Sequence, residues 1–380
     1  MGVYLLRARI DEPNGGLVQL VCARCGSTEA LPTRKWRCDC GRPFLIDGAP
    51  EFRREGIRQD SVGLWRYSDL LPPLQGDPVT MGEGQTPLLM EEWDGLRLGF
   101  KLEFMSPTGS FKDRGASVLV SFLRSWGIDD VLDDSSGNAG AALAAYGARA
   151  GLRVRVFAPA HAPAAKLAQI EIYGAEVVTI GGPRPKATEA ALQAVAAGAY
   201  YATHAYHPLF LEGVATLTYE ILEQLNWRAP DNLVFPMGHG SLVASSYLAL
   251  GRMRAAGILD RLPRFFVAQS QACSPLQQAW QSGWADVQEV VPGETVAGGI
   301  TIGRPAWGWY ALEAIRESGG AVLTVSDVEI LAARDRLARR GLYVEPTSAV
   351  AVAALSQLRE RMAPSELTVL PLTGHGLKSH

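Results

Sequence analysis

The chain has 380 residues, enough to bury a large core and to hold two domains of ordinary size. Hydrophobic residues make up 47%, charged residues 20%, and the formal net charge is −3, which fits a soluble globular protein and gives no pull toward nucleic acid or a membrane surface. No run of about 18 apolar residues is present, and Met1 to Arg9 lack the apolar core of a signal peptide, so a cytoplasmic protein with no membrane span is expected.

Residues 1–50 read as a small β-ribbon that holds four of the five cysteines. Cys22-x-x-Cys25 is followed after twelve residues by Cys38-x-Cys40, with Gly26 and Gly41 to turn the chain after each pair. Four thiolates at this spacing make a tetrahedral zinc site with no position left open, hence a structural one. The second pair is tighter than the usual knuckle. A ribbon that has lost its metal, or two disulfides, stay as alternatives, the latter disfavoured in the cytoplasm. Cys273 stands apart and reads as a packed thiol.

Residues 51–80 form a connection with a short helix over Leu64–Leu71. From about 82 onward strands and helices alternate. The strands are Leu98–Leu102, Val131–Asp133, Val154–Ala158, Glu176–Ile180, Leu233–Phe235, Arg264–Gln269, Val322–Val325 and Thr368–Leu372. The helices are Gly115–Trp126, Gly140–Ala150, Pro163–Tyr173, Ala187–Ala197, Leu209–Leu225, Gly240–Ala256, Ser326–Arg340 and Ser348–Met362. This alternation predicts an α/β protein with parallel sheets. Gly174 and Gly341 are natural helix stops, and Ser326-Asp327-Val328-Glu329 reads as a capping box.

The chemistry gathers in loops. After the turn Pro107-Thr108-Gly109, the stretch Ser110-Phe111-Lys112-Asp113-Arg114-Gly115 delivers one amine at the start of an apolar helix. Lysines are scarce here, six against 30 arginines. A lysine, unlike an arginine, can lose its proton and form an imine with an aldehyde cofactor. A solvated lysine at an ordinary helix start is the plain alternative. Ser135-Ser136-Gly137-Asn138, Gly238-His239-Gly240-Ser241 and Thr373-Gly374-His375-Gly376 each follow a strand. Ligands bind at such strand ends, where glycine-rich backbone meets the positive end of a helix.

In order, Gly-Glu-Gly-Gln-Thr-Pro-Leu (82–88), Lys-Leu-Glu (101–103), Pro-Thr-Gly-Ser-Phe-Lys-Asp-Arg-Gly (107–115), Ser-Ser-Gly-Asn (135–138), Leu-Glu-Gly (211–213), Val-Glu-Pro-Thr-Ser-Ala (344–349) and Leu-Thr-Gly-His-Gly-Leu-Lys (372–378) resemble the threonine synthases. More broadly they resemble the tryptophan-synthase-β class, fold type II, of pyridoxal-phosphate enzymes. The resemblance runs from about residue 60 to the C-terminus, and some relatives carry a similar cysteine-rich ribbon. It implies two interleaved parallel-sheet α/β domains behind a zinc-ribbon-like segment (1–50): a small one over 115–205 and a large one over 60–114 and 206–380. The cofactor implied is pyridoxal 5′-phosphate, carried by Lys112, with Asn138 on its phenolic oxygen. Gly238, His239, Gly240, Ser241 and Leu242 would lie around its phosphate, and Thr373 at its ring nitrogen. Ser135, Ser136, Gly137 and Ala139 would hold the substrate carboxylate. Cys22, Cys25, Cys38 and Cys40 would bind zinc. The partner is a small-molecule amino acid, and the assembly a homodimer.

Two departures bear on the substrate. Phe210 stands where the family pattern offers an arginine, and Ala139 where it offers a hydroxyl. Arg114, Arg304, His204, His207 and His239 are the cations available in place of that arginine. The function expected is conversion of O-phospho-L-homoserine and water to L-threonine and phosphate. The alternative is β-elimination or β-replacement on another amino acid, as in a threonine or serine dehydratase or a specialised biosynthetic enzyme. A catalytically dead scaffold with a binding ribbon is opposed by the joint presence of Lys112, Asn138 and Thr373.

Overall fold

The structure, a computed structural model, describes residues 18–379 apart from His161, Pro163, Pro183 and the side chain of Arg184. The part of the expected ribbon over 1–17 and the expected helix start at Pro163 lie outside the described residues. The strands are β1 (Gln19–Cys22), β2 (Thr28–Ala30), β3 (Phe44–Asp47), β4 (Leu88–Trp93), β5 (Leu96–Lys101), β6 (Asp130–Asp133), β7 (Arg153–Pro159), β8 (Glu176–Ile180), β9 (Tyr200–Tyr201), β10 (Asn232–Pro236), β11 (Arg264–Ser270), β12 (Ala321–Val325) and β13 (Leu367–Pro371). The helices are α1 (Lys112–Ser125), α2 (Asn138–Ala150), α3 (Ala164–Ile172), α4 (Arg184–Ala196), α5 (Pro208–Gln224), α6 (Ser241–Ala255), α7 (Pro275–Gln281), α8 (Gly308–Ser318), α9 (Asp327–Ala338), α10 (Pro346–Ala353) and α11 (Leu355–Leu358).

By packing, the chain divides into Met1–Gly84 with Lys112–Thr216, and Gln85–Phe111 with Leu217–His380. The first unit holds the antiparallel ribbon β2-β1-β3 and a four-stranded parallel sheet in the order β8-β7-β6-β9. Residues 60–84 pack here through specific bonds. Trp65 Nε1 donates to the Ser117 hydroxyl (2.9 Å), Val79 N–H to Ser121 Oγ (2.8 Å), and Tyr146 to the buried Glu83 carboxylate (2.8 Å). Helix α2 is alanine-rich because it must lie close: a Cβ on Gly147 would meet Val154 Cγ2 at 2.3 Å. It stops at Gly151, whose φ of +72° suits glycine and whose N–H caps Ala148.

The second unit holds a six-stranded sheet in the order β12-β11-β10-β13-β5-β4. The central strands are buried on both faces, which is why they read as continuous apolar runs such as Leu233-Val234-Phe235. The strand β4 corrects the all-parallel expectation. It pairs antiparallel with β5 through a two-residue turn, Asp94-Gly95, with φ of +54° and +81°. An Asp-Gly pair between strands is a hairpin signal, but the polar Glu91-Glu92 tail hid the strand beside it. Helix α8 was also not expected: its N-cap is Trp307, with no side-chain cap to mark the start. The expected Ser348–Met362 helix starts at Pro346 and breaks at Ala354 into α10 and α11. The Ser326 capping box forms, with both reciprocal bonds between Ser326 and Glu329, and Cys273 is a buried free thiol.

One ion cluster is sealed in the second unit. Lys101, at the end of β5, is fully buried and pairs with Glu220, Gln224 Oε1 (2.9 Å) and the Thr86 carbonyl. The Thr86 hydroxyl donates to Glu103 (2.6 Å), and Gln85 N–H donates to Glu220 (2.7 Å). Removing the one cation leaves two buried carboxylates uncompensated. Lys101→Met is expected to cost about 3–5 kcal/mol, read as a lowered urea midpoint; an unchanged midpoint would show that the cluster is not what holds this strand end.

Candidate functional site

The segment that leads up to Lys112, residues 108–111, is shaped by residues 373–378 of the same unit, the second. Gly109 turns the chain with φ +81° and donates to Ser106 O (2.8 Å). Phe111 N–H then donates to Thr373 O (3.1 Å), and His375 N–H to Gly109 O (2.9 Å), which makes an antiparallel bridge of Ser110 with Gly374. Lys378 Nζ reaches the Thr108 carbonyl (2.6 Å). The terminal Thr-Gly-His-Gly-Leu-Lys motif thus acts as a clamp. His375 is a packing residue in it: its ring lies edge-on to Phe104 (5.5 Å) and Tyr343 (6.1 Å), and Nδ1 accepts from Leu377 N–H (3.1 Å). The Thr373 hydroxyl sits 2.9 Å from Ser348 Oγ. Among the described residues, the buried Ser110 hydroxyl has no hydrogen-bond partner.

Lys112 follows as the first residue of α1, half-buried, with its Nζ 5.8 Å from the centroid of Phe210. Two glycines permit this crossing of α1 and α5. A Cβ on Gly115 would strike the Phe210 ring at 2.5 Å, and a Cβ on Gly213 would strike Arg114 O at 2.2 Å. Phe210 is therefore a fixed wall beside the amine, buried and held edge-on to His204 at 6.2 Å between centroids.

The Ser135–Asn138 loop leaves the end of β6 and opens α2. Gly137 is the N-cap with no side-chain cap, so the first-turn N–H groups face outward without a helical acceptor. Asn138 and Ala139 stand in that first turn. The loop folds tightly over the helix: a Cβ on Gly140 would lie 1.9 Å from Ser135 O. The two aspartates before it are anchored. Asp133 faces His204 Nδ1 at 2.8 Å, and Asp134 accepts from Tyr201 (2.9 Å) and Thr188 (2.6 Å).

In the second unit, Gly238–Leu242 joins β10 to α6. Gly240 is the N-cap at φ +92°, without a side-chain cap, and Ser241, Leu242 and Val243 open the helix. That leaves a set of main-chain donors at a helix start, the chemistry a phosphate group requires. His239 is half-buried, and its carbonyl accepts from Trp307 N–H (3.0 Å). In the second unit the main-chain donors of the Gly238–Leu242 loop fit a phosphate group; in the first unit the donors that open α2 fit a carboxylate and the amine of Lys112 fits an aldehyde.

Four candidate cations are accounted for. Arg114 is fully buried and donates to the Thr216 hydroxyl (3.2 Å). His207 accepts Leu209 N–H at Nδ1 (3.2 Å) and meets the Tyr200 hydroxyl at Nε2 (3.0 Å); burial pushes it down to about 3, so it is neutral. Arg304 is exposed, and His239 belongs to the Gly238–Leu242 loop. His204 is buried beside Phe210.

The four ribbon cysteines converge. Their Sγ atoms all lie within 4.8 Å of one another, with Cys22–Cys40 and Cys25–Cys38 at 3.4 Å and no disulfide. A zinc–sulfur bond of about 2.3 Å puts neighbouring sulfurs of a tetrahedron about 3.8 Å apart, so the cluster has the right size. Gly26 (φ +73°) donates to Cys22 O and Gly41 (φ +86°) to Cys38 O, which makes two similar knuckles despite the unequal spacing. Burial pushes the Cys22 thiol up to about 12, while the Ser27 hydroxyl holds Cys25 down to about 6. A central cation is what makes four thiolates compatible there. The ribbon docks on the parallel sheet of its own unit through Trp36, edge-on to Tyr201 (5.1 Å) and Tyr206 (4.9 Å), and through the Tyr200 hydroxyl on Thr33 O (3.0 Å).

Residues 79–374 match the family model described as pyridoxal-phosphate dependent enzyme. The chain is 35% identical over 372 residues to threonine synthase of Methanocaldococcus jannaschii, covering 94% of this chain and 92% of that one. It is 37% identical over 376 residues to threonine synthase of Methanosarcina acetivorans, covering 95% and 92%. Among solved structures, a T.th. threonine deaminase superposes with a TM-score of 0.66 at 27% identity over 76% of this chain and 92% of that one. A fungal L-serine ammonia-lyase from Rhizomucor miehei shares the fold, with a TM-score of 0.68 at 20% identity over 76% and 93%. No described helix is long and apolar enough to cross a membrane.

Sequence reasoning quoted Glu83, Lys101 and Glu103 only as letters of motifs, and it missed Tyr146, Glu220 and the aspartates 133 and 134. Their partners lie far along the chain, 63 residues for Tyr146–Glu83 and 71 for His204–Asp133. The Gly140 contact gives a direct check of the loop geometry. Gly140→Ala must displace Ser135 and is expected to destabilise the protein by about 1–3 kcal/mol, seen as a lower melting temperature; an unshifted melt would mean the loop is slack.

Proposed function

The chain belongs to the threonine synthases among the pyridoxal-phosphate dependent enzymes, and from that premise we propose that it converts O-phospho-L-homoserine and water into L-threonine and phosphate. The observation that carries this reading is 35–37% identity to two threonine synthases over nearly the whole of each chain, with an amine placed by a clamp at one end and a glycine crossing at the other.

Bound pyridoxal phosphate supplies an electron sink that stabilises negative charge on the substrate carbons. Lys112 would hold the cofactor through Nζ, and the same amine, when freed, would serve to move protons at the substrate Cα and Cβ. Asn138 would donate to its phenolic oxygen. The loop Gly238, His239, Gly240, Ser241 and Leu242 would carry its phosphate, and Thr373 would offer the ring nitrogen a hydroxyl rather than a carboxylate. The backbone of Ser135, Ser136, Gly137 and Ala139 would bind the substrate carboxylate. Lys101 is unsuited to the role of Lys112: removing its charge would strand Glu220. Cys22, Cys25, Cys38 and Cys40 hold a structural zinc that stiffens the ribbon. Four reduced thiols fit a reducing compartment, and we place the enzyme in the cytoplasm. The homodimer expected from the resemblance is part of the same reading.

The reaction is tested by following phosphate release from O-phosphohomoserine beside 2-keto acid release from threonine and serine; keto acid without phosphate would replace the reading with a dehydratase. Borohydride reduction of the holoenzyme followed by peptide mapping should fix the cofactor on Lys112, and recovery on Lys101 or Lys166 would refute the assignment. Elemental analysis of protein purified without added metal should find about one zinc per chain. Chelation should then lower the melting temperature, whereas a metal-free, reduced protein of unchanged stability would remove the zinc from the account.

A further inference from the structure

The ribbon meets the parallel sheet of its own unit beside the strand end that carries the Ser135–Asn138 loop. Trp36, two residues before Cys38, is half-buried and stands edge-on to Tyr201 and Tyr206. Its neighbours are tied down as well: Arg34 donates to Gly198 O (2.8 Å), and Thr33 O accepts from the Tyr200 hydroxyl (3.0 Å). Tyr201 lies opposite Leu132 where β9 pairs with β6. Burial holds its hydroxyl protonated, well above the usual phenol range, so it is a donor. That proton goes to Asp134 Oδ1 at 2.9 Å, and Asp134 Oδ2 takes the Thr188 hydroxyl of α4 at 2.6 Å. Asp134 is the first residue beyond β6, and Ser135 follows it directly. Ser135 in turn bears on α2, since a Cβ on Gly140 would lie 1.9 Å from its carbonyl oxygen.

We propose that Trp36 and Tyr201 are positioning residues for the substrate: the ribbon braces Tyr201, Tyr201 fixes Asp134, and Asp134 sets the loop that receives the amino-acid carboxylate. The inference rests on the reading that this loop binds the carboxylate, and it makes the ribbon part of substrate recognition. The physics is that of a loop root. A carboxylate that accepts from two hydroxyls on separate elements, β9 and α4, cannot pivot without breaking one charge-assisted bond. The residue after it then leaves the strand in one direction only. Main-chain donors hold an oxyanion well over a narrow range of distance and angle, so a shift at residue 134 is felt at residues 135–139. Trp36 supplies the remaining constraint, because the Tyr201 ring that it packs against carries the hydroxyl in question.

The test uses full-length holoenzyme, with L-threonine titrated and followed by the visible spectrum, beside steady-state kinetics with O-phosphohomoserine. Tyr201→Phe keeps the ring and its contact with Trp36 but removes the hydroxyl. It should weaken threonine binding by about tenfold, the scale of a hydrogen bond to a charged group. It should also raise KM for O-phosphohomoserine by a similar factor and change kcat far less. Trp36→Ala should act in the same direction, and Trp36→Phe should restore most of the loss. Because the two residues act in series, the double variant Trp36→Ala/Tyr201→Phe should bind threonine no more weakly than the weaker single variant. A lowered melting temperature with threonine affinity and KM untouched would show a structural role and sink the inference. Fully additive losses would also sink it, since the ribbon would then act by another route. If wild type binds threonine but releases no phosphate from O-phosphohomoserine, the reaction reading falls while the threonine titrations still decide the inference. Wild type that does not bind threonine overturns the inference.

Discussion

Three hydrogen bonds tie residues 373–378 to residues 108–111, and the course of the chain into Lys112 depends on them. Phe111 N–H on Thr373 O, His375 N–H on Gly109 O and Lys378 on Thr108 O join segments some 260 residues apart in the chain. No local propensity shapes the Pro-Thr-Gly turn into this form; β13 must first pair beside β5. Such long-range contacts close a large loop before they are rewarded. The segment that leads into Lys112 is therefore shaped by residues far along the chain from it.

On the forward side the constraint is volume. Where α1 crosses α5, backbone and ring occupy the space that side chains at 115 and 213 would fill. That close approach makes Phe210 a rigid neighbour of Lys112 rather than a mobile one. A flat apolar ring fills this slot, and the polar groups of the same unit pair with one another: His204 with Asp133, and Asp134 with Tyr201 and Thr188. The ribbon feeds into the same strand ends, since Trp36 rests on Tyr201, so the cysteine cluster and the Ser135–Asn138 loop share a support.

The parallel sheets were legible because buried strands such as Leu233-Val234-Phe235 and Val131-Leu132 are short apolar runs between small-residue loops. The loops themselves were legible by their glycines, and the knuckles by the paired cysteines. What escaped was set by partners rather than by pattern. The strand β4 carries exposed Leu89, Met90 and Glu92 and buries only Trp93 at its end, so its sequence shows no alternating face to read; its place is assigned by the Asp94-Gly95 turn. The departure at Phe210 was visible, but the glycine opposite it was not, because contact between 115 and 210 follows from the helix crossing alone. Likewise His204 and His207 look alike in sequence. One faces a carboxylate and the other sits buried between an amide and a phenol, and only their neighbours separate them.

The hydroxyl pair of Ser348 and Thr373 has a further consequence. Ser348 Oγ accepts the Gly374 N–H at 2.8 Å, and its own hydrogen has two acceptors in reach, Thr373 Oγ1 at 2.9 Å and Gly374 O at 3.2 Å. When that hydrogen points to the carbonyl, Thr373 spends its proton on Ser348 and presents lone pairs outward. When it points to Thr373, the threonine proton is released to face outward instead. One torsion therefore converts the buried end of β13 from acceptor to donor, with no ionisation and no heavy atom displaced. A carboxylate at 373 would change polarity only by taking up a proton; two alcohols in series do so by rotation alone.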